Sequence, residues 1–67
     1  MGQLSKQVEF QAGDYVLVHG SHVGVVLRVA WTSGFQFIVV QSKDGLERQH
    51  VAISLKKITF QEYKDGK

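Results

Sequence analysis

From Asp14 to Ala30 the chain reads Asp-Tyr-Val-Leu-Val-His-Gly-Ser-His-Val-Gly-Val-Val-Leu-Arg-Val-Ala, two valine-rich runs about a glycine-bounded gap. Val16 and Val18 recur with the period of two that puts alternate side chains on one side of a pleated strand. Val25, Leu27 and Val29 resume the alternation beyond the gap. Gly20 and Gly24 bracket Ser21-His22-Val23, and a reversal is expected there because glycine accepts the positive φ of a tight turn. A hairpin with strands over 14–19 and 23–31 is therefore the element that constrains the remainder.

Thr32-Ser33-Gly34 marks a second reversal, and Phe35 to Ser42 has the aromatic and β-branched content of a third strand. Asp44-Gly45 is a hairpin signal, since a type I′ turn needs positive φ at both central residues. It joins strand three to a fourth strand over 46–52. Ile53-Ser54-Leu55 is read as a 3₁₀ turn and 56–60 as the last strand. Residues 1–12, where Val8 and Phe10 alternate with Glu9 and Gln11, are expected to be a flexible arm or a short leading strand. Residues 13–60 are the folded barrel and 61–67 a flexible tail.

Two-residue turns fix strand register. With Asp44 and Gly45 at one turn, Val40 faces Gln49, Val39 faces His50 and Ile38 faces Val51. With Ser33 and Gly34 at the other, Leu27 faces Val40, Arg28 faces Val39 and Val29 faces Ile38. Both registers put Val25, Leu27, Val29, Ile38, Val40 and Val51 in the core, next to Val16 and Val18. The opposite face collects Val26, Arg28, Ala30, Phe37, Val39, Gln41, Arg48 and His50. A one-residue bulge at either turn would exchange the faces. On this reading Val26, Arg28, Phe37, Val39, Arg48 and His50 form a partner-binding face, and a protein partner or a second copy of the chain is expected on it.

The order Gly13-Asp14-x-Val16-x-Val18, a glycine loop, then Gly24-x-Val26-x-x-Val29 resembles the opening hairpin of SH3-like barrels, particularly KOW and Tudor-type modules. The resemblance implies an all-β fold: one small SH3-like barrel of about five antiparallel strands with a 3₁₀ turn before the last. KOW modules usually carry a longer, lysine-containing loop where this chain has a short one holding His22. The KOW likeness implies an alternative role as a nucleic-acid-binding accessory for single-stranded RNA or DNA. Trp31 and Phe35 would then stack on bases while Arg28, Lys43, Arg48, Lys56 and Lys57 meet phosphates. A Tudor-like aromatic cage would draw on Tyr15, Trp31, Phe35 and Tyr63, but His19 and Val23 stand where its first two rings are expected.

With 67 residues, no cysteine and no proline, the chain has one small core and no disulfide to staple it. Packing, self-association or a partner must supply the rest. The net charge is +2, yet 28–57 holds five basic residues against two acidic ones, a weakly basic half. No apolar run is long enough for a membrane span and no signal-peptide core is present, so the cytoplasm is the expected compartment. His19, His22 and His50 lack the spacing and the cysteine partners of a metal site, and no metal or other cofactor is expected. No nucleophile elbow or phosphate-binding glycine loop occurs, so the chain is read as a non-enzyme with no small-molecule substrate indicated. Type II dihydrofolate reductases are similar small barrels with an active site in an oligomeric pore, the remote alternative of an oligomer-dependent enzyme. Their Val-Gln-Ile-Tyr motif is replaced here by Val40-Gln41-Ser42-Lys43.

Overall fold

The computed structural model describes residues 9–66, which form one five-stranded antiparallel sheet. β1 (Tyr15–Val18), β2 (His22–Thr32), β3 (Phe35–Ser42) and β4 (Glu47–Val51) follow as a meander. A 3₁₀ turn (Ala52–Ser54) leads into β5 (Leu55–Lys57), and a helix, α1 (Phe60–Asp65), ends the described chain. The all-β class, the five strands and the 3₁₀ turn before the last strand are as the sequence leads one to expect.

The strand order is β4-β3-β2-β1-β5, which puts β4 and β5 at opposite edges although only three residues join them. In a flat sheet four strand spacings would hold those edges about 19 Å apart. Four peptide steps from Val51 to Leu55 reach at most about 14 Å. The sheet therefore has to roll, and the His19 ring, just after β1, accordingly lies 5.6 Å from that of His50 on β4. Val16 and Ile38, both fully buried, and Val26, 1% exposed, centre the core on the inner face. Phe10, Val18, Val40 and Leu55 surround them, with Val29 and Ala52 packed alongside.

The two later hairpins differ in how they turn. Ser33 (φ 51°) and Gly34 (φ 82°) form the expected two-residue I′ turn, so Arg28 does face Val39 and Val29 faces Ile38. Further along, an irregularity between Val26 and Arg28 leaves Leu27 bulged, and Val26 instead of Leu27 opposes Val40. At the β3–β4 turn Gly45 alone takes positive φ, 92°. Its N–H donates to the Ser42 carbonyl at 2.9 Å, closing a β-turn over Lys43 and Asp44. The Asp44 carboxylate accepts from the Ser42 hydroxyl and from the Leu46 N–H at 3.2 Å, which suits a three-residue loop with a glycine bulge.

That extra loop residue shifts the ladder by one, to Ile38 against His50, Val39 against Gln49 and Val40 against Arg48. Arg48 and His50 therefore move from the expected outer face to the inner one. Val51, expected in the core, is outside and 42% exposed. The Leu27 bulge likewise puts Val26 in the core, while Val25 and Leu27 are half-buried.

The first reversal also falls earlier than expected, at His19-Gly20-Ser21, with φ of 52° at His19 and 70° at Gly20. Gly24 lies inside β2, where a Cβ would stand 2.5 Å from Val40 Cγ1 and 2.9 Å from the Gln41 carbonyl oxygen. Close packing, not a turn, requires glycine there. Val8, half of the leading-strand reading, lies outside the described residues; Phe10 joins no strand but is buried in the core.

Residues 61–67 were expected to be a tail, yet α1 covers most of them. Thr59 Oγ1 accepts from the Glu62 N–H at 3.1 Å, and Glu62 Oε1 accepts from the Thr59 N–H at 2.8 Å, a reciprocal capping box. Those bonds hold the Glu62 carboxyl below its ordinary range. Tyr15 of β1 receives the helix, its ring 5.2 Å from Phe60 and 4.7 Å from Tyr63. No helix among the described residues is long and apolar enough to cross a membrane.

Candidate functional site

Rolling the sheet opens a cleft of about 540 Å³ between the β1–β2 turn and the β3–β4 hairpin. The turn contributes His19, Ser21 and His22, and β4 contributes Arg48 and His50. Val18, Val40 and Leu46 supply apolar wall. His19 reaches the cleft from a left-handed backbone fixed by its N–H bond to the Ser54 carbonyl at 2.9 Å. Burial first, then the neighbouring His19 and Arg48, hold the His50 imidazole below the ordinary histidine range.

Two further charges at the cleft mouth are already engaged. Lys43 Nζ donates to the carbonyls of Gly66 at 2.9 Å and Lys64 at 3.2 Å and lies over the Tyr63 ring, clasping the β3–β4 loop to the end of α1. Bonds from the Ser42 hydroxyl and the Leu46 N–H keep the Asp44 carboxyl below its ordinary value. His19 and His50 approach one another in this cleft and His22 also lines it, but among the described residues no group of three or more His, Cys, Asp or Glu is arranged to hold a metal ion.

The opposite end of the sheet has a different surface. Trp31 and Phe35 flank the β2–β3 turn at 68% and 65% exposure. Trp31, opposite Gln36, stands on the side of the sheet that Val29 and Ile38 occupy; below Phe35 on the outer face, Phe37 is flanked by its cross-strand neighbours Ala30 and Val51. Arg28, Val39 and Gln49 form the next row, with Glu47 and Arg48 of β4 beside them around a shallow depression.

Of the residues read as a partner-binding face, Arg28 and half-buried Phe37 do share the outer face, where Val39 is buried at 4% exposure. Val26 is in the core, His50 belongs to the cleft, and Arg48 lines both the cleft and the outer depression. The residues read as a nucleic-acid surface are dispersed: β3 is eight residues long, so Phe35 at its start and Ser42, next to Lys43, stand about 24 Å apart. Arg28 and Arg48 both line the outer depression, Arg48 also reaching the cleft, and Lys56 and Lys57 lie on β5, where Lys57 pairs with Asp14 at 3.3 Å. Tyr15 and Tyr63 pack on each other beside α1, and no ring contact among the described residues joins them to Trp31 or Phe35. Sequence reasoning missed the cleft, weighing the three histidines together only as metal ligands and placing His50 on the outer face; the available signal was His19-Gly20, a pair suited to positive φ at a turn. No protein-family model, curated protein or solved structure matches the chain.

Proposed function

We propose that the protein is a non-catalytic binding module of SH3-like architecture that works through its outer sheet face, with a second copy of the chain as the partner. The meander, the 3₁₀ turn before the last strand and the pairing of β5 with β1 support the SH3-like reading. The observation that carries the function is the set of apolar side chains at one end of the outer face, Phe35 and Val51 left in water and continuous with half-buried Phe37, while Trp31 is exposed on the other face of the same hairpin. A surface that pairs with itself about a two-fold axis needs complementary groups on one patch. This face has an apolar centre flanked by both a guanidinium, Arg28, and a carboxylate, Glu47.

Sedimentation velocity tests it. A dimer is expected, and Phe35→Asp should return it to monomer with an unchanged circular dichroism spectrum, because that ring is largely in solvent and contributes little to the core. A strict monomer at millimolar concentration would sink the proposal.

The exposure of both Trp31 and Phe35 also favours a second reading, a KOW-like contact with single-stranded nucleic acid. Stacking on such rings contributes about 1–3 kcal/mol per base. An oligonucleotide titration should then show affinity falling with added salt and lost in Trp31→Ala. Binding that survives Trp31→Ala would remove this reading.

A further inference from the structure

The outer face leaves the imidazole cleft unused. We propose that this cleft binds a small organic anion, a phosphate or sulfate ester on an apolar group, with the oxyanion between Arg48 and the imidazoles of His19, His22 and His50. Its volume of about 540 Å³ falls within the range of about 300–1,000 Å³ typical of small-molecule sites. Arg48 makes no ion pair among the described residues, where Lys57 with Asp14 is the pair formed. Lys43 and Asp44 are spoken for by the bonds described above, so the guanidinium is the charge left to meet a ligand. Val40 and Leu46 give the apolar group a wall.

The direction of the donors selects the anion. His19, Ser21 and His22 come from the β1–β2 turn, whereas Arg48 and His50 come from β4 across the cleft. An ester oxyanion with three free oxygens can be met from both sides at once; a planar carboxylate presents its two oxygens to one side. Arginine and neutral imidazole both supply the N–H donors such oxygens accept from.

The ionisable groups facing the site are His19 and His22 from the turn, Lys43 and Asp44 from the β3–β4 loop, and Arg48 and His50 from β4. Among these residue types, histidine is the one whose charge changes between pH 5 and 8. Burial first, then the neighbouring His19 and Arg48, disfavour the His50 imidazolium, and an anion in the cleft stabilises it. Binding therefore takes up protons and tightens as pH falls.

The test is an NMR titration of the full chain with phenyl sulfate, whose single negative charge is constant across this range. Saturable shifts are expected at residues 19–22 and 48–50, with affinity about tenfold higher at pH 5.5 than at pH 7.5. Arg48→Gln should weaken binding about tenfold. His19→Gly, which suits the left-handed backbone there, should weaken it as well. Phenyl phosphate run in parallel at pH 7.5 assigns the ester: tighter binding than phenyl sulfate marks a phosphate site, weaker binding a sulfate site. Absence of saturable shifts at millimolar probe, shifts confined to the β2–β3 end, or an affinity unchanged in Arg48→Gln would overturn the proposal. Inorganic sulfate binding as tightly as phenyl sulfate would overturn the apolar half of it. The cleft and the aromatic tip lie at opposite ends of β3, so either reading can fail without the other.

Discussion

At the end of the sheet that carries the β1–β2 and β3–β4 turns, side chains are tied to backbone. Lys43 spans from its loop to the last carbonyls beside α1, Asp44 and Ser42 bond within the loop, and the His19 N–H is fixed on Ser54. At the end where β2 turns into β3, Trp31 and Phe35 project into solvent, and among the described residues no side chain from 27 to 40 makes a hydrogen bond. The same strands therefore hold a polar cleft beside a tied loop and an open apolar surface. The tied loop shapes one wall of the cleft, while the side chains of His19, His22, Arg48 and His50 make no hydrogen bond among the described residues; a protein-contact surface needs exposed area and can settle its side chains on binding.

Changes of graded size can break or sharpen that contrast. Ile38→Ala removes a fully buried side chain that both ends share, and a loss of about 2–5 kcal/mol is expected in urea unfolding. Cleft shifts and dimer should then be lost together; survival of either would mean that one end folds without the common core. Gly24→Ala strikes the tied end alone, because the added Cβ meets Val40 and the Gln41 backbone. Overpacking of this kind costs about 1–3 kcal/mol, and the variant should disturb NMR signals around Val40 while leaving the sedimentation behaviour of the folded fraction unchanged.

Thr59→Ala cuts one half of the capping box, with an expected loss of about 1 kcal/mol and faster amide exchange in 60–66. Exchange that stays slow would show that Tyr15 and Lys43 hold α1 without its cap. The smallest effect concerns pH. The folded chain holds His50 below its ordinary value, so the unfolded chain takes up the proton first and stability falls as pH drops below about 6.5. The fall levels off once pH has passed below the folded value. His50→Gln should remove that part of the slope in denaturant titrations at pH 7.5 and 5.5, and an unaltered slope would say that another group produces it.

The strands were legible because their signals are local. Valine alternation located β1 and β2, Phe35 to Ser42 was read to the residue, and Ser33-Gly34 gave the I′ turn and the register next to it. The faces were not legible beyond that, for a reason of arithmetic. Asp44-Gly45 looks like a two-residue turn, but only Gly45 takes positive φ, and one additional loop residue sends every side chain of β4 to the other face. That single step carried Arg48 and His50 into the cleft. The helix was legible in principle, since Thr59-Phe60-Gln61-Glu62 has the capping-box spacing, but its apolar contacts, Phe60 and Tyr63 on Tyr15, depend on where β1 lies in three dimensions.

The bulge at Leu27 gives β2 two reading frames. Up to Val26 its even-numbered residues face the core, and from Val29 its odd-numbered residues do. Deleting Leu27 would fuse the frames, so that one half of the strand would have to turn its valines to water while the other stayed in place. Replacing Leu27 by another residue keeps both frames. At this point in the chain the number of residues carries more of the fold than their identity does.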